Sequence, residues 1–237
     1  MINQCLIQLS WETRKALYDS LGNLQWPAFA GILLWVSFRY KVPLKHKVIL
    51  WVTFIIARFW GCGMVPVLSN LTHGIIPSPN MGIGFGLTML VLAAITYFLN
   101  APVLFSLDAA IPAFILGRGL AITGCVFFGC CYGFPVSWGI YSGVAQTVTF
   151  PTVLLDIVLS CCIVGYLMLL SRRQKFSGNG TVAAKGMILF GLLRILIDIL
   201  RDKQKLILLL TAEGLFGVVY VVGGYLILRH IYHKRCK

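Results

Sequence analysis

Read for hydrophobic and polar positions, the chain is a run of long apolar stretches parted by short polar joints. Val48–Ile56 and Leu206–Leu210 are almost unbroken apolar segments. Strands of a closed barrel would alternate polar with apolar to face a lumen, and these runs do not. In lipid the remaining way to satisfy every backbone group within a segment is a helix. The pattern predicts seven spans, at 24–38, 48–66, 82–99, 107–127, 151–170, 184–200 and 206–228. Each is close to the ~20 residues that cross the hydrocarbon. The expected fold class is therefore all-α, a polytopic integral membrane helical bundle.

Composition sharpens this. Of 237 residues, 59% are hydrophobic and 11% charged, against about 25% charged in a soluble domain. A cytosolic enzyme, a disordered tail and a secreted disulfide mini-protein are excluded. No fixed-period repeat, low-complexity tract or linker divides the chain, so one domain is expected over 1–237. Within it, 1–22 reads as an outer interfacial helix, with Trp11, Glu12, Arg14 and Lys15 and no cleavable signal pattern. Residues 24–228 form the membrane core and 229–237 a cytoplasmic tail.

The net charge of +13 carries topology. Arg39, Lys41, Lys45 and Lys47 share one side with Arg172, Arg173, Lys175 and Lys185, and with Arg229, Lys234, Arg235 and Lys237. That side is cytoplasmic by the positive-inside rule, which puts the N-terminus outside. No basic stripe interleaved with aromatics appears, so no nucleic-acid partner is expected. The outer loops 67–81 and 128–150 hold no Lys or Arg. Arg201-Asp202-Lys203-Gln204-Lys205 breaks the rule on the outer side and reads as a basic collar for anionic lipid headgroups.

Candidate chemistry lies in the ionisable residues within spans: Arg58, Arg118, Arg194, Asp108, Asp156, Asp198 and Glu213. A charge at the bilayer centre costs about 2.5–3.5 kcal/mol on insertion scales, so each needs a partner or a polar cavity. Arg194, Asp198 and Arg201 fall at i, i+4 and i+7, on one helix face. Asp198 is expected to steady Arg194, and the planar guanidinium forks suit a phosphate. Around Arg118, glycines at 117, 119, 124, 129 and 133 allow close helix contact or an irregular cavity wall.

Eight cysteines raise metal or disulfide chemistry. There is no C-x-x-C and no neighbouring histidine, so no metal is expected, and no cofactor. Cys130-Cys131 and Cys161-Cys162 are poorly placed to bridge within themselves, and buried cysteine acts mostly as a small apolar residue. His46, His230 and His233 fall on the cytoplasmic side and His73 in an outer loop. No imidazole base is expected within a span.

The order of motifs resembles the bacterial prolipoprotein diacylglyceryl transferase family over about 24–228. Gln25-Trp26 is similar to the family's Arg-Trp-Tyr-Gly start, with Pro27 in place of Tyr. Ala57-Arg58 resembles its Ala-Arg-Leu-Gly. Asp108 with Pro112 and Gly117 resembles its Ala-Asp…Ala-Pro…Leu-Gly. Gly124…Gly129-Cys130-Cys131-Tyr132-Gly133 resembles its Gly-rich signature, in a Cys-Cys-Tyr-Gly variant. Phe150-Pro151-Thr152…Asp156 is similar to its His-Pro-x-x-Leu-Tyr-Glu. Gly191-Leu192-Leu193-Arg194…Asp198…Arg201 resembles its Gly-x-x-Arg-Phe…Glu…Arg. Two departures stand out. The family's His-Gly-Gly falls near 82–86, where this chain reads Gly82-Ile83-Gly84-Phe85-Gly86. Its signature Arg aligns with Ile122, and Arg118 lies one turn earlier on the same face.

The resemblance implies transfer of a diacylglyceryl group from phosphatidylglycerol, or another anionic phospholipid, to the lipobox cysteine of a preprolipoprotein. It places the protein in the bacterial cytoplasmic membrane. Arg194, Asp198 and Arg118 are the expected catalytic residues. Arg58, Arg201, Gly124, Asp156 and Asp108 are the expected substrate-binding ones. The base would be Asp198, Asp156 or Glu213. Two other readings stay open: a catalytically silent relative binding anionic lipid or a lipoprotein precursor, and a membrane thiol-redox protein using Cys125, Cys130 and Cys131.

Overall fold

A computed structural model of the chain describes residues 2–71, 81–175, 177–201 and 210–235. The elements run in the order α1 (Ile2–Gln8), α2 (Trp11–Gly22), α3 (Gln25–Arg39), α4 (Leu44–Leu71), α5 (Met81–Phe98), α6 (Val103–Ala121), α7 (Thr123–Phe128), β1 (Pro135–Ser142), β2 (Thr147–Thr149), α8 (Thr152–Arg173), α9 (Thr181–Leu200) and α10 (Ala212–Arg235). Helices α3, α4, α5, α6, α8, α9 and α10 fall on the seven expected spans. Among the described residues, Val103–Phe128, Thr152–Arg173 and Glu213–His233 are long and apolar enough to cross a membrane. Helix α9 matches them in length but carries Lys185, Arg194 and Asp198.

The helices pack chiefly as α9 on α10, α4 on α5 and α3 on α6, with α6 also against α8. An aromatic cluster lies at the centre. Phe85 stacks within 4.4 Å of Phe114, 4.8 Å of Phe190 and 5.1 Å of Tyr220, measured between ring centres. The outer surface is apolar too: Phe38 is 81% exposed and Phe98 78%. Apolar side chains inside and outside describe a bundle whose solvent is lipid. Small residues bring α9 and α10 together. A Cβ added at Gly217 would stand 2.8 Å from the Gly191 carbonyl oxygen. This is the close backbone approach that small residues allow between membrane helices.

Three elements differ from the sequence reading. The amphipathic start is two helices, broken at Leu9-Ser10, where the Ser10 hydroxyl caps α2 by accepting from Thr13 N–H at 3.2 Å. The loop expected at 128–150 folds into an antiparallel hairpin, pairing Ile140 with Thr149, Tyr141 with Val148 and Ser142 with Thr147. The alternating Val136, Trp138 and Ile140 before Gly143 is a strand-and-turn signal. Third, the expected polar tail continues α10 as far as Arg235. His73 and the collar residues Asp202–Lys205 lie outside the described residues.

The N-terminal helices and the hairpin form one cap. Asn3 of α1 bonds the β1 backbone with its side-chain amide, donating to Gly139 O at 3.1 Å and accepting from Tyr141 N–H at 3.0 Å. Arg14, buried in α2, donates to the carbonyls of Leu6 and Leu9 and lies over the Tyr141 ring. Trp11 and Tyr18 both pack on Phe128.

Candidate functional site

Beneath this cap the bundle buries a chain of charges. On α6, Arg118 donates from both terminal nitrogens to Asp156 of α8, at 2.7 and 2.9 Å. Arg194 of α9 reaches the same carboxylate at 3.0 Å and Glu213 of α10 at 3.1 Å. Arg201, just past α9, closes on Glu213 at 2.8 Å. Four segments thus contribute to one series, Arg118–Asp156–Arg194–Glu213–Arg201. Asp156 is wholly buried and Arg194 is 1% exposed, while Glu213, at 19%, is the member that reaches outward.

Among the described residues, this series joins three guanidinia to two carboxylates, nearly all held off solvent. Burying ion pairs loses most of their hydration, and the attraction offsets that loss only when geometry is good. The two-pronged Arg118–Asp156 pair has that geometry.

Arg194 finds its carboxylates on α8 and α10, not on its own helix. No Arg194–Asp198 ion pair exists among the described residues. Asp198 instead accepts from the backbone N–H and the hydroxyl of Thr211, both at 2.6 Å. Thr211 in turn accepts from Glu213 N–H at 3.2 Å. Asp198 therefore fixes the start of α10 and with it the position of Glu213.

The other expected site residues fall in different places. Arg58, on α4, donates to Gln25 at 2.9 Å and lies over the rings of Phe29 and Phe114. Its Nε is buried without a hydrogen-bond partner, and no carboxylate pairs with it among the described residues. The rings of Phe114, Phe85 and Phe190 stand between Arg58 and Arg118, which itself lies over Phe190. Asp108 lies ten residues before Arg118, toward the far end of α6. It accepts from Gly180 N–H at 2.8 Å and Ala183 N–H at 2.7 Å, capping α9. A carboxylate suits that helix N-terminus by both hydrogen bonding and dipole. Gly124 packs on α2: a Cβ there would stand 2.7 Å from the Tyr18 carbonyl oxygen.

Sequence reasoning placed Glu213 only among possible bases and left Arg14 as an interfacial charge. No spacing rule links Arg194 to a residue on another helix. The N-terminal position of Glu213 in α10 was the available signal. Cys125, Cys130 and Cys131 lie together at the start of the hairpin. The Cys125 contact draws the Cys130 thiol down, but the Cys131 contact and burial outweigh it and push Cys130 up to about 11.

Fold and site together define a polytopic helical membrane protein built around a buried chain of ion pairs. Residues 48–230 match the prolipoprotein diacylglyceryl transferase family, and the chain belongs to it. It is thus a bacterial membrane protein of the transferases in lipoprotein biosynthesis, with lipid and prolipoprotein as substrates. Comparison with curated proteins gives no match.

Proposed function

We propose that the protein moves the diacylglyceryl group of phosphatidylglycerol onto the lipobox cysteine of a prolipoprotein, with the Arg194 series as the headgroup site. The observation that carries this is the gathering of three buried guanidinia, Arg118, Arg194 and Arg201, in one series. The thiolate attacks the glyceryl carbon, a carbon–sulfur bond forms, and glycerol phosphate leaves with the bonding electrons. Charge builds on the leaving phosphate. Donors already fixed by Asp156 and Glu213 stabilise it without reorganising. Arg201 and Arg194 offer planar forks for phosphate oxygens. Glu213, the partly exposed member, is the carboxylate nearest the surface and the candidate to take the thiol proton. Arg58 holds a second buried positive position, across the aromatic cluster from Arg118.

In this reading the protein lies in the cytoplasmic membrane, N-terminus outside, with the Arg201 end of the bundle at the outer leaflet. Two residues favour a silent lipid-binding relative as the second reading. Ile122 stands where the family has Arg, and Phe85 lies where its His-Gly-Gly falls. The deciding experiment is rescue of a bacterial strain depleted of its own transferase, with labelled phosphatidylglycerol traced into prolipoprotein. Transfer by the wild type and none by Arg194→Ala supports the enzyme. No transfer by a correctly inserted wild type supports the silent relative.

A further inference from the structure

The three cysteines at the hairpin start are brought together by the fold, not by a metal motif in the sequence. Cys125 lies within α7. Gly129, at φ 77°, turns the chain back, with its N–H bonded to Cys125 O at 2.8 Å. That left-handed position favours glycine. Cys130 and Cys131 then return beside Cys125, so all three sulfurs lie within 4.8 Å of one another and those of Cys130 and Cys131 within 3.8 Å. The backbone on either side is anchored. Ser142 of β1 donates to Gly129 O at 2.7 Å, and Thr152 of α8 donates to Cys131 O at 2.7 Å.

We propose that Cys125, Cys130 and Cys131 form a three-thiolate site for a soft monovalent metal ion of the Cu(I) kind. Metal–sulfur bonds of about 2.3 Å put the sulfurs of a trigonal site about 4 Å apart, close to the spacing here. The donors are all sulfur, which excludes magnesium and calcium and selects soft ions. Structural zinc takes four ligands, and the cluster offers three among the described residues. The surroundings suit its charge: three thiolates with one monovalent ion carry two negative charges. The backbone of Arg201 pairs with Gly133, two residues beyond Cys131, and its guanidinium acts electrostatically on Cys131 and Cys125. Cys125 is buried while Cys130 and Cys131 are partly exposed, so the ion has a way in. When filled, the site would fasten α7 to the hairpin and α8.

The test is an anaerobic Cu(I) titration of the reduced, full-length protein in detergent against a chromophoric Cu(I) chelator, with Zn(II) in parallel. The wild type should hold about one Cu(I) per chain. Cys130→Ser and Cys131→Ser should each weaken it by more than about 100-fold, beyond the cost of losing an outer-shell partner. Cys161→Ser, at an exposed position on α8, should leave it unchanged. Circular dichroism and elution volume check that each variant is folded. Equal Cu(I) uptake by folded Cys131→Ser would overturn the site. So would equal loss in Cys161→Ser. Tighter binding of Zn(II) than Cu(I) would overturn the choice of ion.

Discussion

Arg118 and Asp156 meet between α6 and α8 through two parallel hydrogen bonds, and neither side chain reaches solvent. Asp156 carries Arg194 on the same carboxylate. One carboxylate thus pairs with two guanidinia from different helices. Asp156→Ala would leave both without it. Breaking a buried pair by removing one partner costs about 3–5 kcal/mol. The variant should show a clearly lower melting temperature in detergent. An unchanged melting temperature would mean that the series contributes nothing to folding.

Arg58 should behave in the opposite way. Its buried charge has Gln25 and two rings for company, and no carboxylate pairs with it among the described residues. Arg58→Met removes an expensive buried cation and keeps the bulk. Stability in detergent should stay level or rise. Lipid binding should fall roughly tenfold, the loss of one charge-assisted contact. A large loss of stability with lipid binding intact would make Arg58 a structural residue.

The α9–α10 contact sets the distance from Arg194 to Glu213. Gly217 leaves no room for a side chain against the Gly191 carbonyl. Gly217→Leu should push the helices apart, at an overpacking cost of about 1–3 kcal/mol. Transfer should be lost well below the melting temperature. Full activity in this variant would show that the Arg194–Glu213 pair is dispensable.

Much of the architecture is legible in the sequence, because lipid forces every span into an apolar helix-length run. The seven long helices follow from that alone. Arg118, Arg194, Arg201 and Asp156 also stand out, since intramembrane charge is costly and rare. Their pairing is not legible. The i,i+4 rule joins Arg194 to Asp198, yet each finds its partners on other segments: Asp156 and Glu213 for one, Thr211 for the other. Asp108 is expected as a substrate-binding residue from the resemblance; that its two bonds cap α9 is visible only in the fold. The thiol cluster escapes spacing rules because the left-handed turn at Gly129 creates it.

Topology gives an independent check. Twelve Lys and Arg fall on one side of seven spans, and that side should be cytoplasmic. A reporter fused after Lys237 should be active only in its cytoplasmic form. Activity in the periplasmic form would invert the bundle and put the Arg201 end at the inner leaflet.

The central claim is that Arg194 and its neighbours hold an anionic lipid headgroup. Native mass spectrometry of the purified protein with phosphatidylglycerol tests it most directly, comparing wild type, Arg194→Ala, Arg194→Lys and Arg118→Ala. The wild type should bind, folded Arg194→Ala should not, and Arg194→Lys, which lacks the planar fork, should recover binding poorly. Arg118→Ala should be nearly as damaging, because it frees Asp156 to neutralise Arg194 fully. Unchanged phosphatidylglycerol binding by Arg194→Ala would contradict the account and leave Arg194 as a structural link between Asp156 and Glu213.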